Sequence, residues 1–207
     1  MIIAFYIIVL VFSVIVHEIA HGFVALHFGD QTAKLAGRLT LNPVRHLDPF
    51  GSILLPLLLA LSGLPVFGWA KPVPYDPRNL RHPKKESGLI AIAGPLTNLL
   101  LATVFALIIR ILVGTIGLAG YEQIIALLDV VVWVNLALTF FNLIPIPPLD
   151  GSGVLFSLLP PTARSFELLM RRYGMYALLA IIFLGIDFLS PVINWAHALL
   201  IGIALPF

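Results

Sequence analysis

The sequence predicts an all-α polytopic membrane protein of about five to six apolar segments, with a membrane-associated β-hairpin and a re-entrant segment between the first and second full spans. Three observations carry that reading. Hydrophobic residues fill 60% of the 207 positions and charged residues only 11%, and the mean hydropathy of +1.05 lies far from the soluble norm. Uncharged runs long enough for a hydrocarbon core of about 30 Å recur along the chain. Nearly all lysines and arginines gather in the loops between those runs, as the inner side of a membrane favours. The formal charge of +2 reflects these basic loops and gives no sign of nucleic-acid binding. With no cysteine, disulfides, thiolate metal sites and cysteine nucleophiles are excluded.

The first span runs from about Ile2 to Phe28 and carries no charge over residues 2 to 16. It lacks the basic start and small-residue cleavage site of a signal peptide, so it reads as a mature membrane helix. Gln31 to Pro49 is polar, with Lys34, Arg38, Arg45, His46 and Asp48, and short alternation around Ala36 to Leu41 predicts the hairpin. Phe50 to Ala70 is apolar again but broken by Pro56, Gly63, Pro65 and Gly68. A proline-rich basic loop, Lys71 to Ser87, leads to long spans at about Gly88 to Val113 and Tyr121 to Ile144. Pro145-Ile146-Pro147-Pro148 ends the latter, because proline removes a donor and clashes with the preceding turn. Apolar segments at about Gly174 to Leu189 and Pro191 to Leu205 follow. Residues 1–207 read as one membrane-embedded domain, with a catalytic core at about 1–158 and additional C-terminal helices over 159–207.

Basic residues also fix an orientation. If Phe50 to Ala70 crossed the membrane, the two basic loops beside it would face opposite compartments, which the positive-inside rule disfavours. If it dips in and returns, both lie on the cytoplasmic side, with the amino terminus outside. Backbone of that kind is tolerated where it lines a cavity or is covered by protein. Arg110, left over near a helix end, can snorkel to the interface.

Within the first span stands His17-Glu18-Ile19-Ala20-His21. Residues four apart share a helix face, so both imidazoles can approach one metal ion. This H-E-x-x-H spacing supplies two zinc ligands, with Glu18 placed to take a proton from a metal-bound water. Counted from outside, the two histidines lie roughly 24 to 30 Å along the helix, and Asn142 lies about 32 Å along the span from Tyr121. Both groups therefore arrive in the cytoplasmic half, with Asp150 just beyond. Two histidines leave a catalytic zinc short of a third protein ligand, and Asp150 can complete the set while leaving a position for water. Nitrogen and oxygen ligands in such a site make zinc the default metal. The bland alternative is a polar cluster that glues helices together.

Taken together, His17 to His21, Gly94-Pro95-Leu96-Thr97-Asn98 and Asn142 to Gly151 resemble the site-2 protease family of intramembrane zinc metalloproteases, in its short prokaryotic form without a PDZ domain. The likeness extends to about Leu158. It implies one zinc ion held by His17, His21 and Asp150, with Glu18 as general base. It also implies that Asn142 and Asn98 hold the substrate strand or stabilise the oxyanion, against a reading in which they bond helix to helix. The substrate would be a transmembrane protein, cut within or near its helix in a prokaryotic cell membrane, and Gln31 to Ala70 would guide the unwound strand. The competing function is a transporter or ion and proton pathway using the same His and Asp residues. Against it stand the lack of repeated halves and the presence of Glu18 between the ligands. His27, His46, His82 and His197 read as isolated, while Asp129 and Asp187 are expected to face the bundle interior or an aqueous inlet.

Overall fold

The computed structural model describes residues 2–63, 68–117, 120–184 and 187–202. In chain order the helices are α1 (Ile2–His27), α2 (Thr32–Leu35), α3 (Leu55–Leu61), α4 (Pro83–Ile116), α5 (Glu122–Asn142), α6 (Asp150–Leu158), α7 (Arg164–Phe183) and α8 (Ser190–Ile201). A π-helical turn, Pro49–Leu54, runs into α3. No strand occurs among the described residues.

Among the described residues, three helices, α1, α4 and α5, are long and apolar enough to cross a membrane; the other apolar segments of the expected five to six do not qualify as full spans. The physical reason is length. Pro49–Leu61 and Ser190–Ile201 are short apolar helices that reach only about 20 Å at 1.5 Å per residue. α7 is long but carries Arg164, Glu167, Arg171 and Arg172 in its first half. Residues 64–67 of the expected re-entrant segment, 118–119 of the uncharged loop and 203–205 of the last apolar segment lie outside the described residues.

α4 is the central element, packing against α1, α5, α6 and α8. One face buries Asn98, Ala102, Ala106 and Ile109 against Ile125, Val132 and Leu136 of α5 and Ile193, Ala196 and Ile201 of α8. The opposite faces present Leu100, Ile111, Ile3 and Ile7 outward, the pattern of helices whose solvent is lipid. Small residues bring α6 onto α4. A Cβ on Gly153 would stand 2.8 Å from the Ala91 Cβ, so only glycine permits this approach. His197, expected to be isolated, is paired: its Nε2 lies 2.7 Å from Asp129 Oδ1 and its ring stacks on Trp133, tying α8 to α5. Asp187 is not interior. It is exposed and accepts the Ser190 amide at 2.9 Å at the start of α8.

The expected hairpin around Ala36 to Leu41 does not form. Gly37 takes φ +63°, which breaks extended alternation, and the polar side chains find long-range partners instead. Arg38, buried, donates through Nη2 to the carbonyls of Lys71 (2.5 Å) and Pro72 (3.3 Å). The His46 Nε2 donates to the Thr40 carbonyl at 2.8 Å. The segment from Trp69 to Asp76 is thereby drawn across the end of α1.

Asp30 staples the same region. Fully buried, it accepts bonds from the Thr32 hydroxyl (2.5 Å), the Asn79 amide (2.8 Å) and the backbone amides of Asp76 (2.7 Å) and Thr32 (3.1 Å). Burial alone pushes its pKa up, but these donors together hold the carboxyl below its usual value. A depressed pKa gives stability that is complete above the unfolded value and is lost as pH falls through the folded one. Asp30→Ala should cost about 1–3 kcal/mol by stranding buried donors. The gap in melting temperature to the parent should hold from neutral pH to about pH 4 and close only below it. Closure already near pH 6 in a thermal-melt series would contradict this origin.

Candidate metal centre

Helical geometry puts His17 and His21 one turn apart on α1, and their rings meet edge-on with centroids 4.7 Å apart. Each ring is fixed from behind by a carbonyl oxygen. The His17 Nδ1 donates to Asn98 Oδ1 at 2.6 Å, and the His21 Nδ1 donates to the Ile90 carbonyl at 2.7 Å. Both acceptors lie on α4, one on either side of Pro95. With the Nδ1 protons engaged, each Nε2 presents a bare lone pair to the other side.

What those lone pairs face is Asp150, the first residue of α6. Its Oδ2 lies 3.0 Å from His17 Nε2 and 3.4 Å from His21 Nε2. This oxygen is buried and has no hydrogen-bond donor, as the tautomers require. The ligand atoms of all three residues fall within 4.8 Å of one another. Three Lewis-basic atoms converging on one point without a proton between them repel unless a cation is shared, so this donor set fits a divalent metal ion. The arrangement of each imidazole, metal face forward and carbonyl behind, is the one that fixes ring orientation in metal sites.

Gly94 makes room for this cluster. A Cβ there would lie 2.5 Å from the Nε2 of both His17 and His21. The sequence singled out Gly94 within a motif, and its reason is close approach of the α4 backbone to the two rings.

Glu18 is half-buried, and its Oε2 accepts the Val73 amide at 2.7 Å. Val73 sits in the extended stretch that Arg38 clamps at Lys71 and Pro72, while Asp30 receives Asp76 at its far end. Neither Val73 nor Arg38 was legible as a site residue, because a backbone amide and a lone loop arginine carry no sequence signature.

The two asparagines separate. Asn98 is fully buried and bonded to His17 and to Asn135. Its bonds run between α4, α1 and α5, as the alternative helix-to-helix reading expects. Asn142 is half-buried at the end of α5, with Nδ2 donating to the Leu138 carbonyl at 2.9 Å. The sequence reading missed Asn135, which looks like any polar residue in an apolar span.

Comparison with known proteins agrees with this geometry. The model of "Peptidase family M50" matches residues 5–121 and 109–185. The chain is 40% identical over 193 residues to the "Putative zinc metalloprotease YwhC" of Bacillus subtilis, covering 91% of this chain and 85% of that protein. It is 31% identical over 183 residues to the zinc metalloprotease Rip2, so named with the same qualifier, of Mycobacterium tuberculosis, covering 88% of this chain. It spans only 65% of that relative's length. No solved structure matches. A zinc-type donor set with two of its three members on a membrane-length helix, together with these matches, leads to one conclusion: the chain belongs to peptidase family M50, the site-2 protease family, and is a zinc metalloendopeptidase integral to a membrane.

Proposed function

We propose that this enzyme is an intramembrane endopeptidase in which His17, His21 and Asp150 hold the zinc ion, Glu18 is the general base, and the substrate is a transmembrane helix of another protein. The observation that carries the proposal is the meeting of three potential ligand atoms, two from α1 and one from the short helix α6, beside α4, where α1 and α4 are of membrane-spanning length. When bound, zinc supplies Lewis-acid chemistry, polarising a carbonyl and making water nucleophilic near neutral pH. Glu18 takes the proton from the attacking water and returns it to the leaving nitrogen. The Val73 amide holds Oε2 of that carboxylate and leaves Oε1 for the proton. Asn142, at the end of α5 and partly open, orients the substrate strand.

Residues 1–207 act as one unit in this reading, with the core in about 1–158 and supporting helices in 159–207. The amino terminus lies outside and the metal centre opens to the cytoplasm, because the basic loops around Lys34 to Arg45 and Lys71 to Lys85 then share the inner side. The apolar stretch Pro49–Leu61 dips into that side and returns, since it is too short to cross. A helical bond is shielded by its own hydrogen bonds, so the substrate must unwind locally before Glu18 can act.

The test is reconstitution in lipid vesicles with a transmembrane substrate peptide. Cleavage inside the apolar segment should disappear on chelation, return with zinc, and be absent in His21→Ala protein, which should also lose stoichiometric zinc. Cleavage confined to soluble peptides would sink the intramembrane reading. Metal flux across the vesicle wall without any cleavage would favour a transport function instead.

A further inference from the structure

Behind His17 runs a chain of buried polar groups that the hydrolytic scheme does not use. Asn98 donates through Nδ2 to Asn135 Oδ1 at 2.9 Å. Asn135 in turn donates through Nδ2 to the Ser13 hydroxyl at 3.0 Å and to the Val131 carbonyl at 2.8 Å. Asn98 and Asn135 are fully buried and Ser13 nearly so. The chain thus joins α4, α5 and α1 beside the metal centre.

The direction of each bond is decided chiefly at the Val131 carbonyl, since the other carbonyl in reach, that of Ser13, lies 3.5 Å from Asn98 Nδ2, at the limit of a hydrogen bond. A carboxamide can turn by 180° and exchange its donor for its acceptor, and neutral imidazole can carry its proton on either nitrogen. The Val131 carbonyl can only accept, so it fixes the Asn135 NH2 on its own side and Oδ1 towards Asn98. That oxygen can only accept as well, so Asn98 must present Nδ2 to it and Oδ1 to His17. An oxygen facing the ring requires the proton on Nδ1 and frees Nε2. Had Asn98 the opposite turn, its NH2 would face Nδ1, the proton would move to Nε2, and the ring could not bind a metal ion.

We infer that Asn135 is a positioning residue for zinc: acting through Asn98, it selects the one tautomer of His17 that can serve as a ligand. This rests on the reading of His17 as a ligand. Partners of this kind typically contribute about 10- to 100-fold in metal affinity.

Full-length protein in detergent, stripped and titrated with zinc against a chelator, tests it. Asn135→Leu should weaken zinc binding by about 10- to 100-fold and dim the visible bands of the cobalt-loaded protein, with helix content unchanged. Adding Asn98→Asp to that variant should restore affinity to within about threefold of the parent, because a carboxylate accepts the Nδ1 proton whichever way it is turned. A packing role for Asn135 would not be rescued by a change at residue 98. Should the leucine variant not fold, Asn135→Ala with and without Asn98→Asp is read in the same way. Parent-like affinity in the residue-135 variant, or a loss that Asn98→Asp leaves in place, overturns the inference. If His17→Ala binds zinc as well as the parent does, the metal-centre reading itself has failed.

Discussion

Glu18→Gln should lower cleavage of a transmembrane substrate by about 10²- to 10⁴-fold, the usual contribution of a general base, while zinc content stays at the parent's level. The contrast follows from where the residue stands. Glu18 shares the H-E-x-x-H segment with the histidines but takes no part in the group formed by His17, His21 and Asp150. Its carboxylate bonds to the Val73 amide. A glutamine of the same length still offers that amide an oxygen, so the extended stretch at Val73 keeps its place and only the basicity is lost. Single-turnover cleavage in vesicles, with zinc measured on the same sample, separates the two effects. Cleavage within about tenfold of the parent would remove Glu18 from the mechanism.

Gly94→Ala should abolish activity by a different route, through loss of the metal ion. The added methyl would lie 2.5 Å from both Nε2 atoms and 2.6 Å from His17 Cε1. Ordinary contact distances of about 3.5 Å mean a displacement of roughly 1 Å, and metal-ligand distances tolerate only about 0.2 Å. α4 cannot retreat, because α5, α6 and α8 pack against it. Zinc affinity should therefore fall by about 100-fold or more, with the helices intact by circular dichroism. Stoichiometric zinc at parent-like affinity in Gly94→Ala protein would show that the rings have more freedom than this packing allows.

Parts of this arrangement were readable in the sequence because they rest on helical periodicity. Four-residue spacing placed His17 and His21 on one face, and the proline break before Asp150 marked where a distant carboxylate could enter. The structure brings the three together. The hairpin at Ala36 to Leu41 was misread because local alternation said nothing of Arg38, whose guanidinium reaches carbonyls 33 and 34 residues away. α6 was missed because its glycines and serines are poor helix formers, and what seats it is the match of Gly153 to Ala91. For Asn98 the family resemblance implied a substrate role, with helix-to-helix bonding as the alternative. Which neighbour it serves depends on Asn135, 37 positions further along the chain, and no spacing rule links those two.

The length of α4 bears on how a substrate is met. Its 34 residues extend about 51 Å, some 20 Å more than the hydrocarbon thickness of about 30 Å. If Ile116 is level with one face of the hydrocarbon, the other face falls near Thr97, next to Asn98, whose side chain bonds His17. Under the proposed function, the reaction centre would then sit in the shallow part of one leaflet. A target peptide bond of a membrane helix would meet it near the frayed end of that helix, where the last turn already lacks several hydrogen bonds. Local melting then costs less there than at the bilayer midplane, so susceptible proteins should be distinguished by weak helix formers in the final turns before the headgroups.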